Sequence, residues 1–326
     1  MTAISNAVAY LYRLSVDRDA VAVGPHMMKV LKAEEWYQTG ERVVVSARDE
    51  RTHNLFARIE GEGPVTTFLH GFPTSSWDWA KVAAALPSGR KRIYIDLLGY
   101  GDSDKPVQHT YSLLEELDLL EALWKHFGVE ETLLVAHDVS VSIGQELLAR
   151  VNEGTWRGPH MTGVVFLNGG LFFSVQRPLT IQRLLRNRFT GPLVTRLITR
   201  QTFDRSMKRI YGPHSAPDLD ELTQQWAIIE RRGGSRLSHK LSRYHDERKR
   251  LEQRWTNALS ETSVPLTFVW GMRDPISGAP MLDKARQVVA KAKFVRLEDG
   301  GHYPQIEAAE RIAKEIGAIE GTPNSR

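Results

Sequence analysis

Asp138 stands in the stretch Leu133-Leu134-Val135-Ala136-His137-Asp138-Val139-Ser140-Val141-Ser142-Ile143-Gly144, between an apolar run of strand type and a continuation of helical type. Small residues, Ala136 and Ser140, lie two positions to either side. A tight strand-to-helix turn requires this, because bulky side chains there collide across the bend. Such a turn pushes its central side chain out at the end of a sheet. A carboxylate presented this way can attack an sp3 carbon that carries a leaving group, giving an alkyl ester that water can cleave. A serine would give an ether that water cannot cleave. Centring the turn on Ser140 would put the charged Asp138 where a small residue is needed, so Asp138 is the better centre. The competing structural role for Asp138 is capping of the helix that follows, for which Asp is well suited.

Two further residues complete a possible constellation. Asp274 lies in Gly271-Met272-Arg273-Asp274-Pro275, just past the strand-like run Leu266 to Trp270. His302 lies in Asp299-Gly300-Gly301-His302-Tyr303-Pro304, past Phe294 to Leu297. Singly, an Asp after a strand is often a turn former, and a His among glycines is more often structural. Together, at three strand ends and in this order, they follow the chain order nucleophile, acid, base of the α/β-hydrolase triad. In that arrangement Asp274 orients His302, and His302 draws a proton from water. His70-Gly71-Phe72-Pro73 follows the third strand, where the N–H of Phe72, with that of Val139, would form an oxyanion hole. His70 and His137 read as structural.

The elements that must position these groups follow from hydrophobic periodicity. Glu41 to Ser46 and Asn54 to Ile59 read as a strand pair, and Val65 to Leu69 as a third strand. Ser76 to Leu86 reads as a helix, Arg92 to Leu97 as a strand, and Tyr111 to Phe127 as an amphipathic helix. Asp96 to Pro106 is Gly-rich but lacks the Lys-Ser/Thr end of a phosphate-binding loop. After the elbow comes the strand Gly163 to Leu167. Helical spacing alone then runs through Leu179 to Arg188, Leu193 to Tyr211, Leu219 to Arg231 and Leu237 to Trp255. The alternation resumes with Leu266 to Trp270, the helix Met281 to Ala290, Phe294 to Leu297 and a closing helix from Gln305 to Ile319. Alternating strands and helices imply a mostly parallel sheet covered on both faces, with ligand sites at its carboxyl edge. The expected fold is an α/β-hydrolase fold of eight strands with a helical cap inserted between two of them. Residues 41–170 and 256–320 form the core, 171–255 the cap and 1–40 an N-terminal extension. That extension offers short helices at Ala3 to Leu14 and Met27 to Trp36, without a motif.

Composition excludes several classes. With no cysteine there is no disulfide and no Cys-based metal site. No metal or cofactor fingerprint is found. Lys+Arg exceeds Asp+Glu by only 43 to 39, which does not point to nucleic acid. Residues 181–254 alone hold 17 Lys+Arg against 8 Asp+Glu, which suits solvated helix faces or attraction to an anionic substrate or membrane surface. No apolar run reaches the length of a membrane span. The first residues lack the pattern of a secretion signal, so a cytoplasmic location is expected. The expected partner is a small, apolar molecule, and oligomeric state is left open.

His70-Gly71-Phe72-Pro73, Gly99 to Pro106, His137-Asp138, Gly271 to Pro275 and Gly301-His302 together resemble the Asp-nucleophile branch of the α/β-hydrolase superfamily, which includes epoxide hydrolases and haloalkane dehalogenases. Leu167 to Gly170, Arg177-Pro178-Leu179, Tyr211-Gly212-Pro213, Arg254-Trp255 and His302 to Gln305 resemble its mesoderm-specific transcript group. The resemblance implies hydrolysis through an Asp138 ester, of an epoxide to a diol or of a haloalkane or haloacid. The dehalogenase pattern has a Trp after the nucleophile and often an Asn in the oxyanion loop; here Val139 and Phe72 occupy those places. The epoxide hydrolase pattern has a pair of cap tyrosines. Tyr244 matches the second, with Arg248 four residues on, and Tyr211 is the substitute for the first. Phe172, Phe173, Trp226 and Tyr244 are expected to line an apolar pocket. A non-catalytic ligand-binding protein on the same fold, and ester hydrolysis by Ser140, are the other readings.

Overall fold

A computed structural model of the protein describes residues 29–321. Its centre is one eight-stranded sheet: β1 (Glu41–Ser46), β2 (Thr52–Glu60), β3 (Val65–Leu69), β4 (Lys91–Ile95), β5 (Glu131–Asp138), β6 (His160–Gly169), β7 (Leu266–Gly271) and β8 (Lys293–Leu297). The spatial order is β1-β2-β4-β3-β5-β6-β7-β8. β2 runs antiparallel to both β1 and β4; the remaining pairs are parallel. The parallel strands are covered on both faces, so successive residues serve different layers. Leu134 and Ala136 of β5 join one apolar cluster, Leu133 and Val135 the other. β5 therefore needs a continuous apolar run, which is what the sequence supplies.

The helices of the core are α1 (Ala33–Gln38), α2 (Ala80–Ala85), α3 (Leu113–His126), α4 (Val139–Asn152), α11 (Ala279–Val288), α12 (Pro304–Glu307) and α13 (Ala309–Glu320). α3 shows why its boundaries fall where they do. Ser112 Oγ accepts the N–H of Leu114 at 3.2 Å, acids fill the first turn, and Lys125 and His126 close the last. α4 follows the elbow with no side chain exposed from Val139 to Arg150, which is why its apolar residues are not confined to one face.

Between β6 and β7 only helices occur: α5 (Thr180–Arg186), α6 (Gly191–Leu197), α7 (Arg200–Lys208), α8 (Leu219–Glu230), α9 (Ser238–Leu241) and α10 (Tyr244–Glu261). Two long helices expected from periodicity are in fact broken. The span Leu193 to Tyr211 splits because Thr199 opens a new helix, its Oγ1 accepting the Thr202 N–H at 3.3 Å. The span Leu237 to Trp255 splits at Ser242-Arg243, and α10 then continues to Glu261. Ser76 to Leu86 is a 3-10 turn, Ser76–Trp79, followed by α2. The expected helix at Met27 to Trp36 forms later, as α1, and buries Trp36 and Tyr37. Trp36 Nε1 donates to Ser76 Oγ at 3.1 Å and Tyr37 OH to Ser75 Oγ at 3.0 Å, which fixes the segment after the His-Gly-Phe-Pro loop. The expected helix at Ala3 to Leu14 lies outside the described residues. Among the described residues no helix is long and apolar enough to cross a membrane.

α10 lies along α4. Trp255 Nε1 and Arg254 Nε both donate to Glu146 Oε2, at 2.9 and 3.1 Å, and Asn152 Nδ2 donates to the Ala258 carbonyl at 3.2 Å. This registration sets the first turns of α10, with Tyr244 and Arg248, over the elbow.

Candidate active site

The turn at Asp138 is sharp. Its backbone has φ 47° and ψ −104°, a conformation that non-glycine residues adopt only when their surroundings impose it. The neighbours are small because there is no room for more. A Cβ on Gly71 would lie 2.7 Å from the Asp138 Cβ, and one on Gly169 would lie 2.6 Å from the Asp138 carbonyl oxygen. The Asp138 side chain makes no capping bond to α4. Instead its Oδ2 accepts the Phe72 N–H at 3.0 Å. Its Oδ1 lies 3.9 Å from His302 Nε2, and 3.9 Å from Arg248 Nη2.

His302 is 2% exposed, and its Nδ1 lies 2.8 Å from Asp274 Oδ2. Asp274 is held from three further directions: Asn168 Nδ2 at 2.9 Å, Ser277 Oγ at 2.6 Å and the Ile276 N–H at 2.7 Å. Burial alone would discharge both partners. On Asp274 it is outweighed by the charge and hydrogen bond of His302 and by the Ser277 hydroxyl and Ile276 N–H, which hold the carboxyl down to about 2. On His302 burial likewise opposes the charged ring. The charge and hydrogen bond of Asp274, and then the charge of Asp138, overcome it and raise the imidazole to about 9. His137 and His70 hydrogen-bond the loops around the site. His137 Nε2 meets the His302 carbonyl oxygen at 2.7 Å while Gln305 Nε2 donates to its Nδ1, which makes Nε2 the protonated nitrogen. Burial, then the nearby His302, push His137 well below the ordinary range. His70 accepts the Leu97 N–H at 3.0 Å. Ser140 is fully buried and donates to the His70 carbonyl at 2.5 Å.

The helices between β6 and β7 roof a cavity of about 200 Å³. Phe72, Pro73, Ile276 and His302 face it from the sheet side; Leu179, Leu185, Phe203, Met207 and Trp226 are among its apolar walls. Trp226, among the expected pocket residues, packs on Phe203 with ring centroids 5.5 Å apart. The other aromatic candidates divide. Tyr244 is buried over the elbow, 6.1 Å from the Phe72 ring, and with Val139 it borders a small chamber of about 20 Å³. Tyr211 is turned elsewhere: its hydroxyl bonds Glu221 at 3.3 Å and accepts from Gln225 at 3.4 Å, and its ring stacks on Tyr303. Phe172 and Phe173 do not line the cavity. The chain turns tightly after β6, with the Val175 N–H on the Phe172 carbonyl, and carries Phe172 into the main core under Lys284 of α11.

Two residues beside the site carry weight that the sequence reasoning did not give them. Asn168, at the end of β6, bridges Asp274 to the Gly271 N–H. Arg248 is 1% exposed. Its Nε donates to Ser142 Oγ and its Nη2 to the Asp138 carbonyl, both at 2.8 Å, and its Cζ sits 4.5 Å from the Tyr244 ring centre. Its Nη1 has no hydrogen-bond partner among the described residues. The only hint in the sequence is its place one turn after Tyr244. Apart from these, His53, His109 and Glu115 bring possible metal ligands within 4.8 Å of one another. There Arg51 already engages Glu115, at 2.9 Å, and His109, at 3.2 Å, so a metal ion would have to displace a cation.

Residues 67–309 match the model of a protein family described as having the alpha/beta hydrolase fold. The chain belongs to that family. Among curated relatives of this α/β-hydrolase, the mesoderm-specific transcript homolog protein of Bos taurus is 35% identical over 255 residues, covering 76% of this chain and 76% of that one. A cis-3-alkyl-4-alkyloxetan-2-one decarboxylase of Shewanella oneidensis is 26% identical over 270 residues, covering 79% and 82%. Among solved structures, the haloalkane dehalogenase DatA of Agrobacterium tumefaciens superposes with a TM-score of 0.68 at 19% identity, over 86% of this chain and 95% of that one; at such identity it speaks for the fold alone. The resemblance to the mesoderm-specific transcript group read from the motifs is thus present along most of the chain.

Proposed function

We propose that this α/β-hydrolase acts through a covalent ester on Asp138 and opens apolar epoxides to diols, with the helices between β6 and β7 as the cap that holds the substrate. The observation that carries this reading is the state of the Asp138 carboxylate: strained out of the sheet, free of helix capping, and bonded to the Phe72 N–H. A carboxylate needs no base to become nucleophilic. The 3.9 Å between its Oδ1 and His302 Nε2 accordingly suits a base that acts on a water near the ester rather than on the nucleophile.

In the first half-reaction an Asp138 oxygen bonds the epoxide carbon. The ring C–O bond breaks, and its electron pair stays on the departing oxygen, which takes a proton from Tyr244. In the second, water gives a proton to His302 and its oxygen bonds the Asp138 carboxyl carbon. The charge that forms on the carboxyl oxygen rests on the N–H groups of Phe72 and Val139. On collapse the bond from the carboxyl carbon to the original Asp138 oxygen breaks, and that oxygen leaves as the second hydroxyl of the diol with the proton of the added hydroxyl. The proton held by His302 returns through solvent to the Tyr244 phenolate. Asp274 holds the imidazolium. One oxygen of the water therefore remains in Asp138. Tyr244 is the better placed of the two tyrosines, since the Tyr211 hydroxyl is engaged with Glu221 and Gln225. The Shewanella relative is named for a reaction on another strained oxygen ring, an oxetanone. It supports extending the substrate test to four-membered cyclic esters.

The test is a single turnover in heavy-oxygen water, followed by mass analysis of the peptide that contains Asp138, using lipophilic epoxides, haloalkanes and oxetanones. Diol release with label in Asp138 is expected. Label confined to product sinks the covalent route. Halide release without diol transfers the reading to dehalogenation, and tight ligand binding without turnover, unchanged in Asp138→Ala, to a binding protein. Asp138→Asn must be assayed at early times, because deamidation would restore the carboxylate.

A further inference from the structure

α5 and α6 have two different faces. Their inner residues Ile181, Leu185 and, just beyond α6, Ile198 line the cavity. Their outer side presents large apolar side chains to water: Leu184, Leu193 and Leu197 are 42%, 60% and 64% exposed, and Phe189, in the connection between the helices, is 81% exposed. Of the other exposed large apolar residues of the described chain, Leu219 opens α8, while Val30, Val44 and Val107 lie outside the inserted helices, before α1, on β1 and in the loop before α3. Leu193 and Leu197 are one helical turn apart, on one side of α6. Water gives no reason for such a cluster, and patches of this kind mark interaction sites.

The charges around the patch say what it meets. Residues 180–209 contain eight Lys and Arg and a single acid, Asp204. Asp204 is already held by Arg200 at 2.8 Å. Arg183, Arg188 and Arg196 are exposed, alternate with the apolar residues, and make no ion pair among the described residues; Arg188 lies over the Phe189 ring instead. Free guanidinium groups interleaved with protruding Leu and Phe match an anionic bilayer surface, where headgroups take the charge and the acyl boundary takes the apolar side chains. A nucleic acid would use the cations and leave the leucines in water. We propose that the α5–α6 face docks this protein on anionic membranes, with the roof of the cavity against the lipid from which an apolar substrate would come. The inference does not depend on the chemistry at Asp138, because vesicle binding reads it without turnover.

The experiment is co-sedimentation of the full chain with vesicles of phosphatidylcholine, either pure or with about 30% phosphatidylserine. Two triple variants accompany it: Phe189→Ser with Leu193→Ser and Leu197→Ser, and Arg183→Glu with Arg188→Glu and Arg196→Glu. All six positions are at the surface, and an unchanged melting temperature verifies the fold. Expected are binding to the anionic vesicles that weakens as salt rises, a loss of about tenfold or more in the serine variant, and a loss on the order of 100-fold on charge reversal. Wild type that stays in the supernatant with both vesicle types at low salt overturns the proposal, and so does wild-type binding retained by the serine variant. A concentration-dependent dimer in sedimentation velocity, lost in the serine variant and unaccompanied by vesicle binding, overturns it in favour of a self-interface.

Discussion

Replacing Asp138 by Asn tests the electrostatics that connect the two half-reactions. Asn keeps the shape and tolerates positive φ, but removes the charge 3.9 Å from His302 Nε2. At an effective dielectric constant of about 20, one unit charge at that distance is worth about 4 kcal/mol, equivalent to about three pH units. The positive Arg248, equally near the same carboxylate oxygen, and local relaxation reduce that figure. His302, now raised to about 9, is therefore expected to titrate about one to three pH units lower in the variant. On the proposed route, formation of the ester would remove the same charge, so the change measured in the Asp138→Asn variant stands in for the intermediate, in which His302 is expected to give up its proton more readily and so serve as the base. The assay is a pH titration of 15N-labelled histidine followed by long-range proton–nitrogen NMR, with His302→Gln to assign the signal. A change of less than about half a pH unit, or a rise, would refute the proposed coupling.

Two other consequences are open to measurement. Arg248→Met leaves the buried Asp138 carbonyl and Ser142 hydroxyl without their donor, and is expected to lower unfolding stability by about 1–3 kcal/mol in urea titration and to slow single-turnover ester formation; Arg248→Lys should recover only part, because an ammonium cannot reproduce the planar fork that serves both acceptors. For the pH dependence of folding, His302 has a raised folded pKa: its contribution is complete below its unfolded value of about 6.5 and is lost as pH rises to about 9, so wild-type stability should fall over that window and His302→Gln should flatten the fall.

Much of this protein is dictated locally. The apolar run of β5, the small residues around Asp138, and the glycine of His-Gly-Phe-Pro are properties of short segments, because a tight bend admits only certain side chains within two or three positions of it. Asp138, Asp274 and His302 could be expected near one another for the same reason: Asp138 ends β5, the other two lie in the loops that follow β7 and β8, and parallel strands with right-handed crossovers bring their carboxyl ends to one edge. The inserted helices obey no such rule. Periodicity shows which side of a helix is apolar, but not what covers it, so Phe172 could be expected in the pocket when it lies in the core, and Tyr211 could be paired with Tyr244 when its hydroxyl belongs to Glu221 and Gln225. Arg248 is the sharpest case. An Arg in a polar helix usually lies in water, and only the packing of α10 along α4, through Trp255 and Glu146, buries this one against the carbonyl of Asp138. Contacts between elements far apart in sequence are fixed by how whole surfaces fit, and no local pattern records that fit.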